Sequence, residues 1–126
     1  MPDGLLDTNI FIDISRNYSP ALLWLKNQTL QFGVSSICRI ELMLGARNKL
    51  EMQKIDRLLQ PFQLIYPDAA DSQWAMEQFE NFNLSHQIEV FDCYIAASAV
   101  RLQLPIFTRN VRHLSLLPNV KVQVPY

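Results

Sequence analysis

The chain is short of glycine, cysteine and net charge, and it has no long apolar run; each shortage removes a class of protein. With 3 glycines, 18% charged and 49% hydrophobic residues among 126, it has the composition of neither a disordered segment nor a fibrous repeat. Its two cysteines, Cys38 and Cys93, stand in no CxxC or Cys-His spacing. That removes a zinc site and a disulfide scaffold, and two buried, reduced thiols in a cytoplasmic protein are expected instead. Eleven Lys and Arg face twelve Asp and Glu for a net charge of −1, so no bulk positive field attracts nucleic acid or anionic lipid. Any polyanion must be met locally. The opening Met1-Pro2-Asp3-Gly4 lacks the basic and apolar regions of an export signal, and no apolar stretch approaches the ~20 residues of a membrane span. A soluble, unexported chain with no membrane partner is expected, folded as a single domain over residues 1–126 around one core.

What the chain does have is a regular alternation of short apolar runs with helical patterns, uninterrupted by a linker, a repeat or a block of like charge. Strands are predicted at Gly4-Leu5-Leu6, Phe32-Gly33-Val34, Gln63 to Tyr66, Pro105 to Thr108 and, as an edge, Val120 to Val124. Helices are predicted over Asn9 to Ser15, and from Ser19 with Pro20 in its first turn to Gln28. Others run from a cap at Ser35 or Ser36 to about Asn48, and over Leu50 to Gln60, stopped by Pro61. The last three cover Ala69 to Leu84, Cys93 to Gln103 and, briefly, Val111 to Leu116. Strands separated by helices imply an α/β fold whose parallel sheet is covered on both faces, with ligands outside the carboxyl ends of its strands.

Acidic residues stand where that rule puts ligands. Asp7 ends the first strand, although a helix N-cap is the plainer reading of the same position. Asp13 fits a helix face. Glu41 falls among Ile37, Ile40 and Leu44 and is predicted to point inward, where a lone carboxylate is costly unless it is paired, hydrogen-bonded or metal-bound. An ion pair with Arg47 or a cation of another helix is the alternative, because Arg39 lies on a different face. Asp92 opens an Ala- and Ser-rich helix, either as its cap or as a third inward acid, and Glu89 one turn earlier is read as solvated. Thr108-Arg109-Asn110 again follows a strand, and His113 beyond it is read as a surface or core-edge histidine. Three carboxylates cannot stay ionised within a few Å of one another without a cation. Oxygen-only donors favour Mg²⁺ or Mn²⁺ over zinc, and such a centre turns bound water into hydroxide and polarises a phosphodiester. With neutral Asn110 as the fourth group, one strong metal site and a second filled only with substrate are expected.

Four segments then fall into register over nearly the whole chain: Leu5-Leu6-Asp7-Thr8-Asn9-Ile10-Phe11-Ile12-Asp13, Ser35-Ser36-Ile37-Cys38-Arg39-Ile40-Glu41-Leu42, Asp92-Cys93-Tyr94-Ile95-Ala96-Ala97-Ser98-Ala99 and Thr108-Arg109-Asn110-Val111-Arg112-His113-Leu114. Together they resemble PIN-domain ribonucleases, specifically the VapC-type toxins. The resemblance implies a three-layer α/β/α sandwich with a mainly parallel sheet and an endoribonuclease dependent on Mg²⁺ or Mn²⁺. It also implies a homodimer held inactive by a VapB-like antitoxin whose C-terminal segment enters the active-site groove. Asp7, Glu41 and Asp92 fall on the family's three acids, as catalytic groups and metal ligands. Asn110 falls on the fourth position, commonly Asp, and Leu114 stands where an aromatic is common. Thr8, Asn9 and Thr108 are expected to support these acids.

For the RNA substrate, Arg16, Arg39, Arg109 and Arg112 lie nearest the site in sequence, and arginine is the better bidentate partner of phosphate. A catalytically idle PIN-like interaction module and a housekeeping PIN nuclease are the alternatives. A haloacid-dehalogenase phosphatase needs an acid where Asn9 stands, and a phosphoacceptor receiver domain needs a lysine that Thr108-Arg109-Asn110 does not supply.

Overall fold

The computed structural model describes all residues, 1–126. The chain runs β1 (Gly4–Leu6), α1 (Thr8–Ser15), α2 (Ser19–Lys26), β2 (Phe32–Ser35), α3 (Ser36–Leu44), α4 (Lys49–Leu59), β3 (Gln63–Ile65), α5 (Ala69–His86), α6 (Val90–Leu102), β4 (Ile106–Phe107), α7 (Val111–Leu114) and β5 (Val122–Gln123). The strands form one sheet in the order β3-β2-β1-β4-β5, and every pair is parallel. Parallel neighbours cannot be joined by hairpins, so helices must make the crossovers. Successive side chains of a strand point to opposite faces, yet Leu5 and Leu6 are both wholly buried. The sheet is therefore covered on both sides, in three layers.

The chain leaves β1 towards β2 and β3, then returns past β1 to β4. With right-handed crossovers the two directions put their helices on opposite faces, and the reversal falls between β1 and β4. That switch point is where an open α/β sheet leaves a crevice at its carboxyl edge. Asp7 follows β1 and Thr108 follows β4, so both open into it. Against the sheet, Trp24, Phe32 and Phe107 pack with ring centroids 5.0 to 5.7 Å apart. Gly4 makes room for this cluster, since a Cβ there would lie 2.6 Å from Phe107 Cε2.

Several boundaries differ from those the sequence predicts. α3 stops at Leu44 and does not reach Asn48, because Gly45 ends it and Asn48 instead caps α4 by accepting the Glu51 N–H at 2.9 Å. α6 begins at Val90, ahead of Cys93, which moves Asp92 from a cap into the first turn. β5 keeps only two residues of the run Val120 to Val124. The buried face of α3 is also not the predicted one: Cys38 and Leu42 are buried, while Ile40 is 49% and Leu44 70% exposed. Glu41, three residues after Cys38, sits at the margin of that face and is half-buried. With so few glycines, the left-handed positions fall to Asn17, Asn119, Gln87 and Gln103, the last two closing α5 and α6. No helix is long and apolar enough to cross a membrane.

Candidate active site

Asp7, Thr8, Asn9, Ile12, Glu41, Glu89, Asp92 and Asn110 line one cleft of about 190 Å³ at the carboxyl edge of the sheet. Asp7 is both the cap of α1 and part of this cleft. Its Oδ1 accepts the Thr8 N–H at 2.8 Å, and its Oδ2 accepts the Thr108 hydroxyl at 2.8 Å and the Asn9 amide at 3.4 Å. The Thr8 hydroxyl does not support Asp7; it donates to Glu41 Oε1 at 2.8 Å. Having one proton to give, it leaves its 3.2 Å contact with Cys38 Sγ to be made by the thiol's own hydrogen. Thr108, fully buried, also accepts from Asn9 Nδ2 at 3.1 Å and the Asn110 N–H at 2.9 Å. Asn110 Nδ2 donates to Asp92 Oδ2 at 3.2 Å. A second carboxylate at position 110 would repel Asp92 there, whereas the amide hydrogen-bonds it.

The electrostatics run against ionisation. Burial is the main cause that raises the pKa of Asp7, although Thr108 and the Thr8 N–H oppose it. Burial likewise raises Glu41, against the Thr8 hydrogen bond and with the charges of Asp7 and Glu89 adding to the rise. Asp92, only 5% exposed, is pushed up to about 7 by burial and then by Asp7, Glu89 and Glu41. No Lys, Arg or His lines the cleft, and none of the chain's ion pairs involves Asp7, Glu41 or Asp92. The ion pair considered for Glu41 is therefore not made. Arg39 pairs with Asp56 and Arg47 with Glu51.

The donors fit a hard divalent cation in kind. All are oxygens, and the neighbouring Cys38 thiol, driven up to about 12 by burial, stays protonated. As they stand, no three of the chain's His, Cys, Asp and Glu side chains converge closely enough to hold an ion, so the acids would have to draw together around one. Glu89 is exposed, in keeping with its solvated reading, yet it also lines the cleft, which the sequence did not reveal. It occupies the N-cap position of α6 without making a side-chain cap, so its carboxylate remains in the cleft, and the available signal was its spacing of one turn from Asp92. His113 lies outside the cleft lining. Arg16 and Arg112 are exposed and unpaired, and Arg109 is tied to Asp13 at 3.3 Å.

A parallel sheet that collects uncompensated acids at its switch point defines the class: an α/β protein with an acidic, cation-free cleft. Residues 4–116 match the PIN domain, and the chain belongs to the PIN-domain family. Its fold is similar to a chain of a toxin-antitoxin complex from Klebsiella pneumoniae, at 26% identity over 98% of each chain with a TM-score of 0.78. It is also similar to FitAcB from Neisseria gonorrhoeae, at 25% identity over 96% of each chain and a TM-score of 0.74. DNA-bound VapBC from Salmonella typhimurium shares the fold at 20% identity over 98% of each chain and a TM-score of 0.78. A comparison with curated protein sequences finds no significant match.

Proposed function

We propose that this PIN domain is a metal-dependent endoribonuclease acting in the cytoplasm as the toxin of a toxin-antitoxin pair. The observation that carries the reading is the convergence of Asp7, Glu41 and Asp92 on a cleft to which the chain brings no cation of its own. Mg²⁺ or Mn²⁺, held by those three carboxylates, would supply Lewis acidity towards a phosphodiester and a water that ionises near neutral pH. The residues do the rest. Thr108, Asn9 and the Thr8 N–H fix both oxygens of Asp7, the Thr8 hydroxyl fixes Glu41, and Asn110 fixes Asp92. Burial and the neighbouring acids push Asp92 up to about 7 in the metal-free protein, so binding a cation would displace the proton it holds below that pH.

RNA would be met by Arg16 and Arg112, whose guanidinium groups are exposed and free of ion pairs. A neighbouring cleft of about 300 Å³ shares Ile12 and Glu41 with the site and adds Arg16, Leu42, Lys54 and Ile55. Apolar in part and continuous with the acids, it suits a segment of a VapB-like antitoxin. Exposed Ile40 and Leu44 on α3 offer apolar surface for the second copy of a homodimer. The test is cleavage of pooled cellular RNA by the purified protein in Mg²⁺, Mn²⁺ or EDTA, beside Asp7→Asn. Metal-dependent cutting that the variant lacks supports the reading; equal cutting by both, or none by either in any metal, overturns it.

A further inference from the structure

Arg109 sits at the centre of a cluster that joins three distant parts of the chain. Its Nη1 lies 3.3 Å from Asp13 Oδ2, which also accepts the Tyr126 hydroxyl at 2.7 Å. Its Cζ is 5.5 Å from the ring centroid of Tyr18 and 5.3 Å from that of Tyr126, cation-π distances on both. Burial and the bond to Asp13 raise the Tyr126 hydroxyl further above its ordinary range, so it remains a donor at any neutral pH. Tyr126 also lies 6.1 Å from Trp24, the ring that packs on Phe32 and Phe107, which ties the cluster to the core.

The same residue occupies the middle of the turn between Thr108 and Asn110. Its backbone N–H donates to Asn9 Oδ1 at 3.2 Å, orienting the amide whose other end reaches Asp7 and Thr108. Of its two neighbours, Thr108 donates to Asp7 and Asn110 to Asp92. Any swing of this turn would therefore displace the supports of two acids at once. The guanidinium meets the carboxylate through Nη1 alone, so the two tyrosine rings share the work of holding it.

We propose that Arg109 acts as a positioning residue of the nuclease site: held by Asp13, Tyr18 and Tyr126, it fixes the turn that orients Asp7 and Asp92. The catalytic arm of this inference rests on the nuclease reading; the structural arm does not. Arg109→Ala, Arg109→Lys and Tyr126→Phe are compared with wild type in three measurements: RNA cleavage kinetics, RNA affinity against salt in EDTA, and amide hydrogen exchange.

A loss of alignment of about 1 Å costs up to roughly 100-fold in rate, so Arg109→Ala is expected to lower kcat by about 10- to 100-fold with KM nearly unchanged. Arg109→Lys, which keeps the charge and loses the planar group, is expected to stay well below wild type. Tyr126→Phe, which keeps the ring and loses the hydroxyl, is expected to show a smaller fall. In all three variants the Arg109 and Asn110 amides exchange faster while those of β1 and α6 do not. Full activity of Arg109→Lys overturns the proposal. So does a raised KM with kcat retained and a salt slope reduced by ~0.7, the signature of one lost contact to single-stranded phosphate. Unchanged exchange at Arg109 and Asn110 overturns it even if the wild-type protein proves unable to cut RNA.

Discussion

Two carboxylates buried almost equally lie against opposite ends of α6 and meet opposite fates. Asp71 is 1% exposed and Asp92 5%. Asp71 accepts Arg101 Nε at 2.8 Å and Nη2 at 2.9 Å, the Ser98 hydroxyl at 2.8 Å and the Asp68 N–H at 3.1 Å. Burial works to raise its pKa, yet those partners hold it below the ordinary range. Asp92 has one amide partner and three acids for company, and it is driven up to about 7. The chain neutralises the acid that joins α5 to α6 and leaves unneutralised the acid that faces the cleft. Burial alone therefore does not mark a functional carboxylate; burial without an internal cation does.

The contrast is sharpest when each acid is removed. Asp92→Asn is expected to abolish metal-dependent RNA cleavage, a fall of at least ~100-fold, while the metal-free protein melts at a higher temperature than wild type because repulsion is relieved. Asp71→Ala should do the reverse for stability. Breaking a buried pair leaves Ser98 without its acceptor and Arg101 with only Asp68, at 3.1 Å, and the Tyr66 carbonyl, at 3.4 Å; it costs about 2–4 kcal/mol, the lower part of that range being favoured because Arg101 is partly solvated, and urea denaturation measures it. Lower stability in Asp92→Asn, or none lost in Asp71→Ala, would erase the distinction.

The pH dependence follows with its own sign. Between 3.8, the ordinary value, and about 7, native Asp92 keeps a proton that the unfolded chain has released, so this group's contribution to stability falls as pH rises through that window and levels off above it. The melting temperature of metal-free wild type is expected to carry this decline, and Asp92→Asn to show a smaller one, left by Asp7 and Glu41, whose pKa values are raised too. The smallest effect belongs to Glu89, which adds charge without a hydrogen bond. Glu89→Gln should weaken Mn²⁺ binding by about 1 kcal/mol, roughly fivefold, in a calorimetric titration.

Glu41 shows how sequence and structure divided the work. The sequence picked out the acid, but the apolar residues used to aim it, Ile40 and Leu44, are exposed. Periodicity fixes which residues share a helical face, not which face the sheet covers. Asp71 and Arg101 drew no notice in the sequence, because an acid in a first turn and a base in a last turn are what any helix tolerates. Nor does anything beside Arg109 in the chain reveal its contact with Asp13.

The sequence by itself determined the alternation of strands and helices, hence the parallel α/β order, and it put Asp7 and Thr108 at strand ends and Asp92 at the start of a helix. Those features depend on residue period, turn chemistry and capping, which act within a few residues. Only the tertiary structure decided that Thr8 serves Glu41, that Glu89 enters the cleft, that Asp71 is neutralised and Asp92 is not, and that Arg109 is held by Asp13, 96 positions away. Such partnerships are set by strand order and by the packing of helices on the sheet, which bring together groups whose chemistry the local chain leaves unspecified.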